Sequence, residues 1–175
     1  MPTTTRTIAI PQQLDPVTVL GPVDEVLREV ERAFPDLTII VRGNRIAIMS
    51  DNAKGMEDLF SYVYERGHRK IAYIHGADSA VTQSRLSTFY RMAEQKGLSI
   101  PDAYIKEAAY RNADEAYERT RELLALEDRP TCILYQDDFA SFGGIKAIRQ
   151  AGLKIPQDIS VAGYDGIRIA YQLEP

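Results

Sequence analysis

Residues 71–98 have the sequence IAYIHGADSAVTQSRLSTFYRMAEQKGL, in which a short apolar run is followed by a helical pattern. The run at 71–74 is short and apolar, which predicts a buried strand. Apolar side chains then recur at helical spacing across 86–93, and Gly97 is typical of a residue that ends a helix. A strand followed directly by a helix is the unit from which parallel sheets are built.

The same alternation continues towards both ends of this stretch. Helical spacing follows Gly55, and the later segments predict strands at 103–105, 131–135 and 160–163 and helices at 116–124 and 140–150. Strands separated by helices of this length favour right-handed crossovers. We therefore predict an α/β fold, a parallel Rossmann-like sheet with helices on both faces, and expect functional residues at the carboxyl ends of the strands.

The first fifty residues have a different pattern. Residues 17–20 are a strand candidate, residues 23–34 have helical spacing that ends at Pro35, and residues 37–41 and 45–48 flank a turn with the sequence RGN. This pattern predicts a strand, a helix and a β-hairpin, which form either a mixed sheet with the parallel strands or a small appended layer. We expect the three strands to pair at least partly among themselves.

Size and composition exclude several classes of protein. A chain of 175 residues fits one domain, or one domain with a small appendage. The net charge of -4 and the pI near 5.3 argue against general binding to nucleic acid or membrane surfaces, which needs a basic footprint. Cys132 lies in an apolar run and is expected to be a buried strand residue. With no signal peptide or spanning segment in the sequence, we predict a cytoplasmic protein.

A series of ordered motifs runs from residue 51 to residue 175. They are Asp51-Asn52, Gly55-Met56, Gly67-His68-Arg69-Lys70-Ile71-Ala72-Tyr73-Ile74, Ser84-Arg85-Leu86, Gln136-Asp137-Asp138, Gly152-Leu153, Ile155-Pro156, Asp158-Ile159-Ser160-Val161 and Gly163-Tyr164-Asp165. Together they resemble the C-terminal effector subdomain of lactose-repressor family regulators. The resemblance implies a periplasmic-binding-protein-like fold and a small, sugar-like effector.

The N-terminal motifs point to a second family. Residues 17–21, residues 28–35 and residues 41–46 resemble the N-terminal, KH-like segment of PhoH-like proteins. The pairing implies a recombined or engineered chimera, with a PhoH-like segment at 1–50 and a repressor lobe at 51–175, which we expect to share one core. PhoH-like proteins carry their ATPase region beyond the segment matched here, so the resemblance transfers no such activity.

The repressor resemblance implies a set of ligand-binding residues at the strand ends. It implies that Arg85 grips ligand hydroxyls or a carboxylate, and that Asp165 accepts hydrogen bonds from ligand hydroxyls. Gln136 stands where the family commonly has asparagine, and its amide can both donate and accept. Tyr110 stands where the family often has an aromatic ring, which stacks on an apolar ligand face. Asp137 matches the usual aspartate of the family.

Each of these residues also has a structural interpretation. Arg85 fits a helix-surface arginine, Asp165 a turn residue and Tyr110 a rim tyrosine. Asp137 and the following Asp138 fit the N-cap and first turn of a helix. His75 is expected to be a hydrogen-bonded loop residue, because no cysteine, serine or second histidine stands at a metal-site or triad spacing from it.

The sequence contains no phosphate-binding loop, and the segment at 21–24 lacks the second glycine of a KH loop, which argues against RNA binding. The helix-turn-helix reader and first effector subdomain of the repressor family are not matched, so we expect no DNA binding. Our hypothesis is a non-enzymatic lobe with weak effector binding and no cofactor, metal or membrane partner.

Two alternatives stay open. One is a magnesium-assisted phosphotransfer or hydrolysis site at the carboxyl edge of the sheet, formed by Asp137, Asp138, Asp165 and His75. The other is a homodimeric interaction module.

Overall fold

The computed structural model describes residues 6–11, 13–15, 19, 25–33, 37–42 and 45–167, and the chain divides into two compact units, Met1–Gly55 and Met56–Pro175. In chain order the elements are β1 (Arg6–Ala9), α1 (Glu25–Ala33), β2 (Leu37–Arg42), β3 (Arg45–Ser50), α2 (Asn52–Glu65), β4 (Ile71–His75), α3 (Ala80–Gln95), a 3-10 turn (Asp102–Tyr104), β5 (Ile105–Glu107), α4 (Ala113–Leu124), β6 (Cys132–Tyr135), α5 (Asp138–Gln150) and β7 (Ser160–Ala162).

The second unit contains a four-stranded sheet in the order β5-β4-β6-β7. All neighbouring strands run parallel, with Ile71 opposite Cys132 and Cys132 opposite Ser160. Helices connect these strands, so the predicted α/β fold with a parallel sheet is confirmed. All four strands end at the same edge, where the chain turns towards the helices.

The two central strands, β4 and β6, are buried on both faces, because their alternate side chains enter two separate apolar clusters. One cluster contains Ala72, Ile74, Ile133 and Tyr135 with residues of α4 and α5, among them Ala116, Leu123, Ala140 and Ile148. The other contains Ile71, Tyr73, Cys132 and Leu134 with Met56, Phe60 and Val63 of α2 and Phe89 and Met92 of α3. The sheet is therefore covered by two helices on each side, as the continuous apolar runs predict.

Cys132 is fully buried within β6, in agreement with its predicted place in a strand. Burial away from water raises the pKa of its thiol to about 12, so the reactive thiolate is disfavoured. Among the residues that the structure describes, none of the helices combines the length and apolar character needed to cross a membrane.

The first unit contains a three-stranded antiparallel sheet in the order β1-β3-β2. The predicted hairpin is confirmed by the pairing of β2 with β3, in which Arg42 lies opposite Arg45. Its turn at 43–44 lies outside the described residues. The predicted helix at 23–34 is observed as α1, and residues 23, 24 and 34 lie outside the described part of the chain.

The first strand of this unit is not the one that the sequence predicted. Of residues 17–20, only Val19 is described, and it is helical. The third strand of the sheet is instead β1, which pairs with β3 through Arg6 opposite Ile48. All four side chains of β1 are exposed, so the strand is held in the sheet by its backbone pairing with β3.

The strand predicted at 103–105 begins later than expected. Tyr104 belongs to the 3-10 turn, and β5 starts at Ile105. The Tyr104 side chain is buried, and its hydroxyl donates to the backbone oxygen of Asp128 at 2.6 Å. This contact with the loop before β6 fixes the turn, because a buried hydroxyl needs a hydrogen-bond partner.

A buried hydrogen bond between α4 and β6 gives a first testable prediction. The hydroxyl groups of Thr120 and Tyr135 lie 2.8 Å apart and both residues are fully buried. Thr120→Val removes this partner of the Tyr135 hydroxyl, so we expect urea denaturation to show a loss of about 1–3 kcal/mol in the free energy of unfolding. Adding Tyr135→Phe should recover part of this loss, because both partners are then apolar. A double variant that loses the sum of both single effects would contradict the coupling.

Candidate functional site

Polar side chains gather where β4, β6 and β7 end. His75 is the last residue of β4, and Gly76 follows it. Gln136 comes directly after β6, and Tyr164 lies two residues after the end of β7. Because the carboxyl ends of parallel strands meet at one edge, residues far apart in sequence become neighbours here. The structure thus brings together most of the residues that the sequence predicted, and adds others.

Arg85 is a buried residue at the centre of this group. It lies in the second turn of α3 and is only 6% exposed. Its Nη1 donates to the backbone oxygen of Gln136 at 2.9 Å, and its guanidinium carbon lies 3.7 Å from the centre of the Tyr164 ring. A cation over an aromatic face is held by the ring quadrupole. The structure therefore excludes the interpretation of Arg85 as a helix-surface residue.

Gln136 is fully buried with its amide group in a fixed orientation. Its Nε2 donates to the backbone oxygens of Ala108 and Ala109, at 2.8 and 2.9 Å. Among the residues that the structure describes, none donates a hydrogen bond to its Oε1. Both amide hydrogens are thus used by the protein, and the group that remains for a ligand is an acceptor.

Tyr110 lies near this acceptor. A Cβ added to Gly76 would lie 2.3 Å from the Tyr110 ring and 2.6 Å from Gln136 Oε1, so these groups meet at a position that only glycine leaves open. The Tyr110 hydroxyl lies 3.1 Å from Thr82 Oγ1, and Thr82 Oγ1 donates to the backbone oxygen of Ala77 at 2.8 Å. The Tyr110 ring is therefore held between β4 and the start of α3.

Asp137 takes the structural position that its helix-cap interpretation gave it. It is fully buried and is the N-cap of α5. Its Oδ1 accepts from the backbone N–H of Ala140 at 2.8 Å, and its Oδ2 accepts from that of Arg111 at 2.9 Å. Both carboxylate oxygens are thus occupied by backbone donors, and ligand contact by Asp137 stays a prediction without geometric support.

Asp165 lies on the loop that follows β7. It is exposed and has a φ of 91°, and the next residue, Gly166, has a φ of 58°. Two successive left-handed residues turn the chain sharply. This turn is consistent with the turn-residue interpretation and also leaves the carboxylate at the surface, so both interpretations of Asp165 stay open.

Asp138 anchors the same loop. It is 6% exposed, and its Oδ2 accepts from the backbone N–H of Ile167 at 2.7 Å. Burial raises the pKa of Asp138, and the nearby carboxylates of Asp165 and Asp137 raise it further, while the Ile167 N–H opposes the rise.

Two tyrosines complete the buried part of the site. Tyr73 is 1% exposed, and the Tyr164 hydroxyl is buried with no partner among the described residues. Burial raises the pKa of both hydroxyl groups, and the Arg85 cation partly opposes the rise in each. Both tyrosines therefore remain neutral hydrogen-bonding groups at ordinary pH.

His75, which was expected to be a hydrogen-bonded loop residue, is the last residue of β4. Its Nδ1 lies 2.7 Å from the backbone oxygen of Gly76, so the ring is hydrogen-bonded locally. Within the described ranges, no group of three or more His, Cys, Asp or Glu side chains is arranged to hold a metal ion.

The sequence analysis did not identify Tyr164, Thr82 or Gly76 as parts of the site, whereas it named Asp138 only for the alternative magnesium site and for the first turn of a helix. Two of them carried a signal. Thr82 precedes Arg85 by three residues, which places both on one side of α3, and Tyr164 precedes Asp165 directly. Nothing in the sequence indicated a role for Gly76, because its closeness to Tyr110 and Gln136 arises only when two loops meet.

Comparisons with known proteins agree with this architecture. The periplasmic binding protein-like domain family matches residues 60–175. An HTH-type transcriptional repressor PurR of Klebsiella pneumoniae is 33% identical over 115 residues, which are 65% of this chain and 33% of that protein. The chain thus spans about a third of the length of the curated relatives it matches.

Solved structures show the same similarity. A regulatory protein of the LacI family from Chloroflexus aggregans is 30% identical, with a TM-score of 0.68 over 70% of this chain and 44% of that one. A sugar-binding transcriptional regulator of the LacI family from Escherichia coli, solved with phosphate, has a TM-score of 0.67 over 70% of this chain and 44% of the other. At 23% identity, the latter supports the fold alone.

Proposed function

Because the chain belongs to the periplasmic binding protein-like domain family, we propose that its second unit is the effector-binding lobe of a lactose-repressor-type transcription regulator. The lobe binds a small polyhydroxyl molecule at the carboxyl edge of its sheet. It does so without catalysis, and the sequence relatives are transcription regulators rather than enzymes. The sugar class rests on the motifs that this chain shares with lactose-repressor family regulators, among them Gly163-Tyr164-Asp165.

The observation that carries this proposal is the buried guanidinium of Arg85. A cation is rarely buried in a protein of this size unless partners compensate for its lost hydration. Its partners include the Tyr164 ring and the backbone oxygen of Gln136, both at the carboxyl edge of the sheet. The planar fork of five donors suits the recognition of vicinal hydroxyls or a carboxylate.

Gln136 adds a second requirement. Its Nε2 already donates to Ala108 and Ala109, so the amide can offer a ligand only the acceptor Oε1. A ligand that reaches this atom must therefore offer an O–H or N–H group, and it would approach close to the Tyr110 ring beside Gly76. Asp165, which is exposed on the loop after β7, supplies a further acceptor.

We expect the affinity to be weak. A cleft normally encloses most of a small ligand between two walls, and the residues described here supply one wall. A dissociation constant on the order of 1 mM corresponds to about 4 kcal/mol of binding free energy, which a few hydrogen bonds and one stacked ring can supply.

The remaining parts of our hypothesis concern the whole chain. We infer a chimera in which residues 1–50 derive from a PhoH-like segment; this inference rests on the N-terminal motifs at 17–21, 28–35 and 41–46. The shared core of both segments, the absence of DNA and RNA binding and the cytoplasmic location stay predictions. A homodimer also stays a proposal, supported by the exposure of Phe139, and gel filtration tests it.

The test of effector binding is an amide proton-nitrogen NMR titration of the whole chain with ribose, other monosaccharides, purines and magnesium. We expect a sugar to shift the amide signals of Gly76, Tyr110, Gln136, Tyr164 and Asp165, which lie at the proposed site. Shifts with magnesium alone would favour the metal-dependent enzyme. A dispersed spectrum that no ligand changes would contradict effector binding.

Gly76→Ala tests whether these shifts come from the proposed site. The added Cβ would collide with the Tyr110 ring and Gln136 Oε1, which are side-chain atoms, so we expect these two side chains to shift and the fold to survive. We expect a dispersed spectrum with an affinity for the sugar at least about tenfold weaker, equivalent to the loss of one good hydrogen bond. Unchanged binding by a folded Gly76→Ala variant would place the ligand elsewhere.

A further inference from the structure

Two adjacent carboxylates at the start of α5 each hold a different loop of the site. Asp137 Oδ2 accepts from the backbone N–H of Arg111 at 2.9 Å, and Asp138 Oδ2 accepts from that of Ile167 at 2.7 Å. Both aspartates are more than nine-tenths buried. A buried carboxylate that accepts backbone hydrogen bonds forms charge-assisted contacts, which are stronger than neutral ones.

Each of the two loops contains a non-glycine residue with a positive φ. Arg111 has a φ of 57° and Asp165 has a φ of 91°, and these are the non-glycine residues with positive φ among those that the structure describes. A non-glycine residue adopts this conformation only where its surroundings impose it. Each loop thus contains one strained residue and one hydrogen bond to the aspartate pair.

Asp138 binds one end of the loop after β7 and lies close to the other end. Its Oδ2 binds Ile167 at the far end, and its Oδ1 lies 2.7 Å from the point where a Cβ on Gly163 would stand at the near end. Between these ends lies Tyr164, whose ring rests against the Arg85 guanidinium. A shift of this loop would therefore move the ring from the cation.

The Asp137 clamp acts on the other side of the site. Asp137 binds the backbone N–H of Arg111, the residue that directly follows Tyr110. The Tyr110 hydroxyl lies 3.1 Å from Thr82 Oγ1. The two aspartates are consecutive and belong to one rigid helix start, because Asp137 also caps α5 through Ala140. Because both aspartates belong to the start of α5, they set the position of the Arg111 loop relative to the Ile167 loop.

We propose that Asp137 and Asp138 are positioning residues, which set the spacing of the two loops that carry Tyr110 on one side and Tyr164 with Asp165 on the other. The consequence for the ligand rests on the proposed function, whereas the positioning itself does not. Neither carboxylate needs to touch the ligand for this role. The role explains why oxygens of both aspartates accept hydrogen bonds from the backbone.

The test compares two variants that each release one clamp. Asp138→Ala removes the acceptor for Ile167 and leaves the helix cap on Asp137 intact. Asp137→Ser keeps a side-chain oxygen that can cap α5, but a single short hydroxyl cannot also reach Arg111. Asp114→Ala, the same change at an exposed position in the first turn of α4, is the control for both.

Amide hydrogen exchange of the ligand-free chain is the first readout. We expect exchange at Ile167 to become at least about tenfold faster in Asp138→Ala, and exchange at Arg111 to become similarly faster in Asp137→Ser, each with the other amide unchanged. Asp138→Asn retains one acceptor oxygen and should restore much of the protection of Ile167. Unchanged exchange in both variants, or equal acceleration throughout the second unit, would overturn the proposal.

The second readout reports on the site itself. In Asp138→Ala, the ring-current shift that Tyr164 imposes on the Arg85 side-chain signals should fall, while it should persist in Asp137→Ser and Asp114→Ala. A shift that survives in Asp138→Ala would show that the loop holds its place without the clamp. Titration of the same variants with ribose then tests the ligand consequence, and a wild-type chain that ignores ribose would count against the proposed function alone.

Discussion

Gly143→Ala is expected to lower the free energy of unfolding by about 3 kcal/mol, the largest stability effect of a single methyl group that we predict for this chain. A Cβ at Gly143 would lie 1.8 Å from the backbone oxygen of Ala113 and 2.7 Å from its carbonyl carbon. These atoms belong to the start of α4, so relief requires the helix to move rather than a side chain to rotate. The space between α4 and α5 is set by this contact.

The sign of this effect is informative, because alanine is the better helix former. In an unpacked helix, Gly→Ala stabilises by about 1 kcal/mol. Urea denaturation measures the change, and Lys146→Ala, at an exposed position of the same helix, serves as the control with an expected effect within about 0.5 kcal/mol. A Gly143→Ala variant as stable as the wild type would mean that α4 can withdraw from α5 at little cost.

Arg85→Met is expected to abolish measurable sugar binding, with at least about a hundredfold loss of affinity, because it removes the cationic donor fork from the site. Methionine fills similar space with an unbranched chain but donates no hydrogen bond. The backbone oxygen of Gln136 loses its donor, and the Tyr164 ring loses its cation. The amide titration with sugars measures the loss of binding.

In the Arg85→Met variant, we expect the free energy of unfolding to change less than the free energy of sugar binding. The unpaired Gln136 oxygen costs about 1–3 kcal/mol, while removal of a buried charge returns part of that amount. Arg91→Met is a matched control in the same helix, since Arg91 forms a partly exposed ion pair with Glu57 whose loss costs about 1 kcal/mol or less. Equal affinity for the sugar in the Arg85 variant and the Arg91 variant would refute the assigned role of Arg85.

Much of the second unit could be predicted from its sequence. The strands at β4 and β6 are short apolar runs, and Gly97 and Gly152, which have φ values of 68° and 76°, follow helices as the pattern indicated. These signals are local, because a helix or strand face repeats within a few residues. The first unit was less predictable, since β1 pairs with β3 through backbone groups while its own side chains stay exposed.

The order of apolar runs and helical segments was enough to determine the parallel α/β fold and to place Arg85, Gln136 and Asp165 near one edge of the sheet. The tertiary structure alone decided which of their atoms remain for a ligand. Gln136 Nε2 donates to carbonyls 27 and 28 residues away, and Asp137 Oδ2 accepts from an amide 26 residues away. Periodicity is a property of neighbouring residues, whereas the partner of a buried polar atom is set by whichever distant backbone the fold brings within hydrogen-bond distance.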